Sequence, residues 1–231
     1  MIRCHQFNTE WYGNPIGIVD RGQLTSVTLN SLQLYSWVEY RGPLDDFETV
    51  MELNRLGFIQ IGSQVHLRLS LSKIPHSCSL DRLEIHMASQ NPFSLKASDI
   101  SLFHHERFFA ISGITVQKIQ ERYVLWANRL IKEYPQWCMR VMYEGNCQGW
   151  FLAFPEGRIL NLSLAMLHAQ AKISGMLLYQ KALFVYHQMG MKIGKTDFSA
   201  TNVPVLNMYA QLGARFDKMV GCWLWSSDSK P

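Results

Sequence analysis

The chain has 231 residues, 48% of them hydrophobic and 17% charged, with a formal net charge of +4. That length suits one large domain or two small ones, and the hydrophobic share excludes a disordered chain. The positive balance is mild and no dense Lys/Arg run exists, which excludes the clustered cations of sequence-independent nucleic-acid binding while leaving small phosphate-bearing ligands open.

The five cysteines, Cys4, Cys78, Cys138, Cys147 and Cys222, are odd in number and form no CxxC pair, so a reduced, cytoplasmic protein is expected. Residues 1–14 lack a signal-peptide core, and no apolar run approaches the ~20 residues of a membrane span.

In chain order, Ile16-Gly17-Ile18-Val19 follows the Gly13-Asn14-Pro15 turn as a short strand. Residues 45–56 carry apolar side chains at 47, 50, 51 and 53 before Gly57, a helix with a glycine stop. Residues 58–71 alternate, with Val65, Leu67, Leu69 and Leu71 against His66, Arg68 and Ser70, the pattern of a half-buried strand. The polar stretch 72–82, with Pro75, is the expected boundary between a small α/β domain at 1–75 and a larger one at 83–231.

Residues 83–88 read as a strand and 96–103 as a short helix. Residues 115–132 read as a long helix with Ile119, Tyr123, Trp126 and Leu130 on one face. Strands at 138–143 and 149–154 flank a Glu144-Gly145-Asn146 turn, and a strand at 158–167 follows Pro155-Glu156-Gly157. A helix at 174–189 stops at Gly190, a strand covers 191–198, and β structure closes the chain at 214–225.

Two elements carry chemistry. The turn Gln170-Ala171-Lys172-Ile173-Ser174-Gly175 leads a strand into a helix, where unpaired N–H groups and the helix dipole favour an anion. The segment 201–214 is a second capped helix: Asn202 at the N-cap, Pro204 in the first turn, Gly213 past the end. Tyr209 follows Asn202 by seven residues, so the two share a face about ten ångströms apart.

This order resembles the Gcn5-related N-acetyltransferase (GNAT) superfamily, whose [Gln/Arg]-x-x-Gly-x-[Gly/Ala] turn is matched at Gln170 and Gly175, with Ile173 in place of the first glycine. That departure restricts the backbone and adds bulk beside the phosphates. The resemblance implies an α/β acyl-CoA N-acyltransferase fold with a mixed, mostly antiparallel sheet whose two central strands splay to admit the cofactor. It implies acetyl-CoA as co-substrate, held by Leu167, Gln170, Ala171, Lys172, Ile173, Ser174, Gly175, Asn202 and Leu206. Backbone at 164–167 would serve the thioester oxygen, and Tyr209 would protonate the CoA thiolate. The central strand segment 149–154 carries no carboxylate, which leaves Glu84, His86, His104, His105, Glu106 or a water chain as the base.

Within the superfamily the chain is most similar to dTDP-fucosamine (dTDP-4-amino-4,6-dideoxygalactose) N-acetyltransferases. The shared pieces are Trp11-Tyr12-Gly13, Leu56-Gly57-Phe58 before the alternating strand, Arg107-Phe108 before a long helix, and the terminal Trp223-Leu224-Trp225. This implies a nucleotide-linked amino sugar as acceptor, bound through His104, His105, Glu106 and Arg107. It also implies a homodimer, for which exposed aromatics of the terminal strand are the expected surface. An acetyltransferase for another small amine, an antibiotic or a peptide amine, and a non-catalytic acyl-CoA-binding protein, are the alternative readings.

Overall fold

The computed structural model describes residues 1–100 and 104–227. In chain order the elements are β1 (Ile2–Cys4), α1 (Gln6–Tyr12), β2 (Ile16–Val19), α2 (Leu29–Leu32), β3 (Trp37–Pro43), α3 (Phe47–Arg55), β4 (Ile59–Ser70), α4 (Cys78–Asp81) and β5 (Leu83–Met87). Then come α5 (Val116–Glu133), β6 (Cys138–Tyr143), β7 (Asn146–Glu156), β8 (Ile159–Leu167), α6 (Gly175–Gln188), β9 (Ile193–Ser199), α7 (Val203–Gln211) and β10 (Arg215–Ser226).

All ten strands join one sheet in the order β1-β2-β3-β10-β4-β9-β8-β7-β6-β5. The pairs β2–β3 and β8–β9 are parallel and the other seven antiparallel. β4, from the first 75 residues, lies between β9 and β10, so the segments 1–75 and 83–231 share this sheet.

The alternation in β4 buries Val65, Leu67 and Leu69, the last two under α6 and α7 together with Phe151, Ala153, Leu160 and Leu162. On the opposite face α5 covers Trp150, Leu152, Leu164 and Met166. β8 contributes to both layers because Ser163 is an extra residue: Leu152 faces Leu164 while Ala153 faces Leu162. Such a bulge reverses which side chains point to which face. The β6–β7 hairpin turns through Glu144 (φ 50°) and Gly145 (φ 73°), two left-handed residues that match the twist of the flanking strands.

Several details differ from the sequence reading. The helix expected over 45–56 forms as α3 with Asp46 as its cap, but Phe47 and Met51 face solvent and only Leu53 is fully buried. Where a short helix was expected over 96–103, a single tight turn at Ala97–Asp99 forms, held by the Asp99 carboxylate accepting from the Lys96 N–H at 2.8 Å; residues 101–103 lie outside the described residues. Trp223 and Leu224 are 2% exposed, because β10 sits inside the sheet between β3 and β4. They are core, not a dimer surface. Among the described residues no helix is long and apolar enough to cross a membrane, and the five cysteines are free thiols.

Candidate active site

β8 and β9 pair only at Ile159↔Ile193, Leu160↔Gly194 and Asn161↔Lys195. Beyond that point they part, and the facing edges of residues 162–167 and 196–199 make no ladder bonds with each other. The Thr196 hydroxyl donates to the Leu162 carbonyl at 2.7 Å and closes the apex of the V. Two concavities open from this gap. A cleft of about 540 Å³ runs between the start of α6 and the face of α7, lined by Leu167, Gly175, Met176, Pro204 and Met208. A larger cavity of about 1100 Å³ lies beyond the V; Ala165, Tyr179 and Val205 line both.

The turn before α6 is held from within. The Gln170 N–H donates to His168 Nδ1 at 3.1 Å, the Ala171 N–H to the His168 carbonyl at 3.0 Å, and the Lys172 N–H to Gln148 Oε1 at 2.7 Å. These three amides are therefore spent on the turn itself. Ser174 caps α6 by accepting from the Leu177 N–H at 3.3 Å. The N–H groups of Ile173, Ser174, Gly175 and Met176 have no acceptor among the described residues, and they stand where the positive end of the α6 dipole is strongest. Ile173 packs its side chain against the α6–α7 core, so its bulk is turned to protein.

α7 begins as its sequence implies. Asn202 accepts from the Val205 N–H at 3.3 Å, and Pro204 occupies the first turn. Tyr209 sits two turns on, 2% exposed, stacked on Phe198 and edge-on to Tyr179. Its hydroxyl interacts with those of Tyr179 and Thr196, at the apex of the V. Burial, reinforced by Tyr179, pushes its pKa well above 10. The phenol therefore stays protonated through the neutral range, but it is a weaker acid than an ordinary tyrosine. Leu206, the remaining residue assigned to the cofactor in the sequence, is half-buried on α7 and lines neither concavity.

The segment carrying His104, His105, Glu106 and Arg107 borders the large cavity, so the topology brings it to the V. His105 Nδ1 lies 3.2 Å from the Thr201 hydroxyl and ties this segment to the entry of α7. Glu106 and Arg107 belong to a buried ionic cluster. Glu39 accepts from Asn8 Nδ2 at 2.5 Å, from Arg107 at 3.1 Å and from Arg41 at 3.4 Å. Glu106 accepts from the Tyr123 hydroxyl at 2.8 Å and lies 3.9 Å from both Arg107 and Arg122. Burial alone would raise the Glu39 pKa, but Arg107 and Arg41 outweigh it and hold it down to about 2. Locked by these donors, Glu106 is poorly placed to act as a base. Glu84 and His86 lie on β5, the outermost strand at that end, four places from β9, and neither lines the cavity.

Three residues of the site were not singled out in the sequence. Tyr179 reads there as one more position on an amphipathic helix, yet it is buried against Tyr209 with its pKa pushed up to about 12 by burial. Gln148, 1% exposed, carries no sequence signal for its bond to the Lys172 amide across 24 residues. Asp197 lies on β9 just past the parting of the strands and lines the large cavity; only the register of β9 reveals it.

Comparison with known proteins finds this fold in solved structures. No protein-family model and no curated protein matches the sequence. The tandem GNAT protein from the clavulanic acid biosynthesis pathway, in its structure without AcCoA, aligns with TM-score 0.57 and 13% identity over 95% of this chain and 77% of its own. The GCN5-related N-acetyltransferase from Sphaerobacter thermophilus aligns with TM-score 0.54 and 10% identity over 82% of this chain; the match spans 59% of that protein's length. A GCN5-related N-acetyltransferase from Kribbella flavida gives TM-score 0.52 at 7% identity, over 90% of this chain and 79% of its own. At these identities the likeness is one of fold, and the chain has the α/β fold of the GCN5-related N-acetyltransferases, with its mixed, mostly antiparallel sheet.

Proposed function

We propose that this chain is an acetyl-CoA-dependent N-acetyltransferase acting on the amino group of a nucleotide-linked amino sugar. The observation that carries the reading is the V between β8 and β9, with four free amides at the start of α6 on one side and the Tyr209 hydroxyl at its apex. Residues 173–176 would hold the pyrophosphate, and the cleft along α7 would take the pantetheine arm, leading it toward Asn202 on the larger cavity. The open edge of β8 offers backbone N–H groups to the thioester oxygen as negative charge develops there.

The acceptor nitrogen, as the free amine, bonds to the thioester carbon and the C–S bond breaks. The amine proton leaves to solvent or a cavity carboxylate, and the sulfur takes one, giving amide and free thiol. Tyr209 donates toward the departing sulfur. Because burial raises its pKa, it acts chiefly as a hydrogen-bond donor, with the proton following as the sulfur becomes anionic. The resemblance in Trp11-Tyr12-Gly13, Leu56-Gly57-Phe58 and Arg107-Phe108 supports the nucleotide-sugar acceptor and a homodimer as the working form.

The test is thiol release with acetyl-CoA against nucleotide amino sugars, small amines and peptide amines, with product masses measured. A gain of one acetyl group on a nucleotide amino sugar is the expected result. Acetylation confined to another amine would move the acceptor class. Acetyl-CoA binding with no amine acetylated would leave an acyl-CoA-binding protein.

A further inference from the structure

Tyr179 is a second buried phenol beside the V. It stands near the start of α6, and with Ala165 and Val205 it borders both the cleft along α7 and the large cavity. These three residues form the waist at which a thioester in the cleft meets an amine in the cavity. The ring is fixed edge-on to Phe151, 5.0 Å between centroids, and edge-on to Tyr209, 5.3 Å between centroids. Its hydroxyl is hydrogen-bonded to that of Tyr209. Packing accounts for the ring but not for the hydroxyl, which burial has to strip of water.

Tyr209 needs a source of protons. It is 2% exposed, and a phenolate left there after it protonates the sulfur would be a buried, uncompensated charge. Two hydroxyls touch it, those of Thr196 and Tyr179. Thr196 has its hydrogen committed to the Leu162 carbonyl at 2.7 Å. Tyr179 is therefore the one that can resupply Tyr209. Hydroxyl hydrogens rotate to suit their partners, so Tyr179 can donate to Tyr209 when Tyr209 turns its own hydrogen to the sulfur.

The acceptor side lacks a base on the same face of the sheet. Residues 149–154 of β7 offer no carboxylate, and Glu106 is bonded to Tyr123 and flanked by Arg107 and Arg122. Asp197 lines the cavity but pairs with His66, whereas α6 and α7 cover the face that carries Leu67 and Leu69. Neighbouring strand residues point to opposite faces, so Asp197 and the two phenols lie on opposite sides of the V.

We infer that Tyr179 is a catalytic residue: it accepts the proton of the attacking nitrogen as its own hydrogen passes to Tyr209 and that of Tyr209 passes to the sulfur. After attack the nitrogen is positively charged and shares one carbon with the departing sulfur, so two phenols in contact can join them. One N–H bond and the C–S bond break, the C–S electron pair stays with sulfur, and one S–H bond forms. Both phenols end as neutral as they began, so the burial that makes each a weak acid by itself does not obstruct the transfer. The ammonium form of the acceptor gives up its surplus proton earlier, to solvent or to Asp197. This rests on the acetyltransferase reading and adds the path its proton takes.

The experiment measures single-turnover acetyl transfer by rapid quench in mixtures of light and heavy water. The acceptor is dTDP-4-amino-4,6-dideoxygalactose, or the amine that the thiol-release panel shows to be acetylated. The wild-type rate should fall along a bowed curve as deuterium rises, because more than one proton moves. Tyr179→Phe should slow transfer about ten-fold or more with acetyl-CoA affinity within about two-fold, and should straighten the curve. Tyr179→Phe added to Tyr209→Phe should slow transfer by no more than about two-fold further, as expected of groups that act as one unit. Tyr186→Phe, on the same helix, removes a buried hydroxyl that donates to the Trp137 carbonyl at 2.6 Å, and should leave the curve bowed. The inference is overturned if Tyr179→Phe transfers within about two-fold of wild type, if the two losses multiply in the double variant, or if the wild-type curve is straight. Absence of wild-type turnover on every amine counts against the acetyltransferase reading itself, and the inference falls with it.

Discussion

Replacing Glu39 by Gln tests the electrostatics that seat the 104–107 segment over the cavity. Glu39 is 2% exposed and holds Arg107, Arg41 and Asn8 at once. Its carboxyl is held at about 2 against a usual 4.5, which is worth roughly 3 kcal/mol of folding stability at neutral pH. The independent expectation for breaking a buried ion pair, about 3–5 kcal/mol, agrees. A depressed carboxyl contributes its full stability above about pH 4.5 and loses it as pH falls toward 2. Urea unfolding at pH 7 should therefore show Glu39→Gln about 3 kcal/mol less stable, a midpoint shift on the order of 1 M for a slope near 3 kcal/mol/M. The gap between wild type and variant should narrow between pH 4.5 and pH 2. A loss below about 1 kcal/mol at pH 7, or a gap that does not change with acid, would refute the reasoning.

Three further outcomes follow from the geometry. Tyr209→Phe should lower kcat about 100-fold with little change in acetyl-CoA affinity, and wild-type kcat should show no basic limb from this phenol below pH 10, because burial raises its pKa; undiminished turnover would remove the role. Gly175→Pro deletes one free amide at the first position of α6, where proline fits, and a Cβ there meets nothing nearer than 3.9 Å. Calorimetry should show acetyl-CoA bound about ten-fold more weakly, with the melting temperature little changed. Gly149→Ala should destabilise the fold by about 1–3 kcal/mol, since a Cβ would come within 2.3 Å of the Met166 carbonyl oxygen; a neutral result in chemical denaturation would contradict the packing.

The sequence made the local elements legible where short-range rules govern them. Asn202 with Pro204 announces a helix start through capping, and β4 announces its buried face through alternation. It did not reveal how distant segments meet. Nothing in residues 59–70 says that they lie between β9 and β10, and that placement is what brings Asp197 beside His66 and buries Trp223 and Leu224. The free amides at 173–176 were legible as a class, because a strand entering a helix leaves N–H groups unpaired. That the amides of residues 170–172 just before them are consumed depended on Gln148 and His168 and could not be read. The fate of Glu106 and Arg107 likewise depended on Glu39 and Arg41, more than 60 residues earlier in the chain.

The central claim is that the V between β8 and β9, with the start of α6, receives acetyl-CoA. Titrating acetyl-CoA into isotope-labelled protein and following backbone amides tests it directly. The account predicts saturable shifts at Ile173, Ser174, Gly175 and Met176 and along 164–167, with Gln170, Ala171 and Lys172 changing less because their amides are already bonded. Absence of saturable shifts at 173–176, or shifts gathered elsewhere on the sheet, would contradict it.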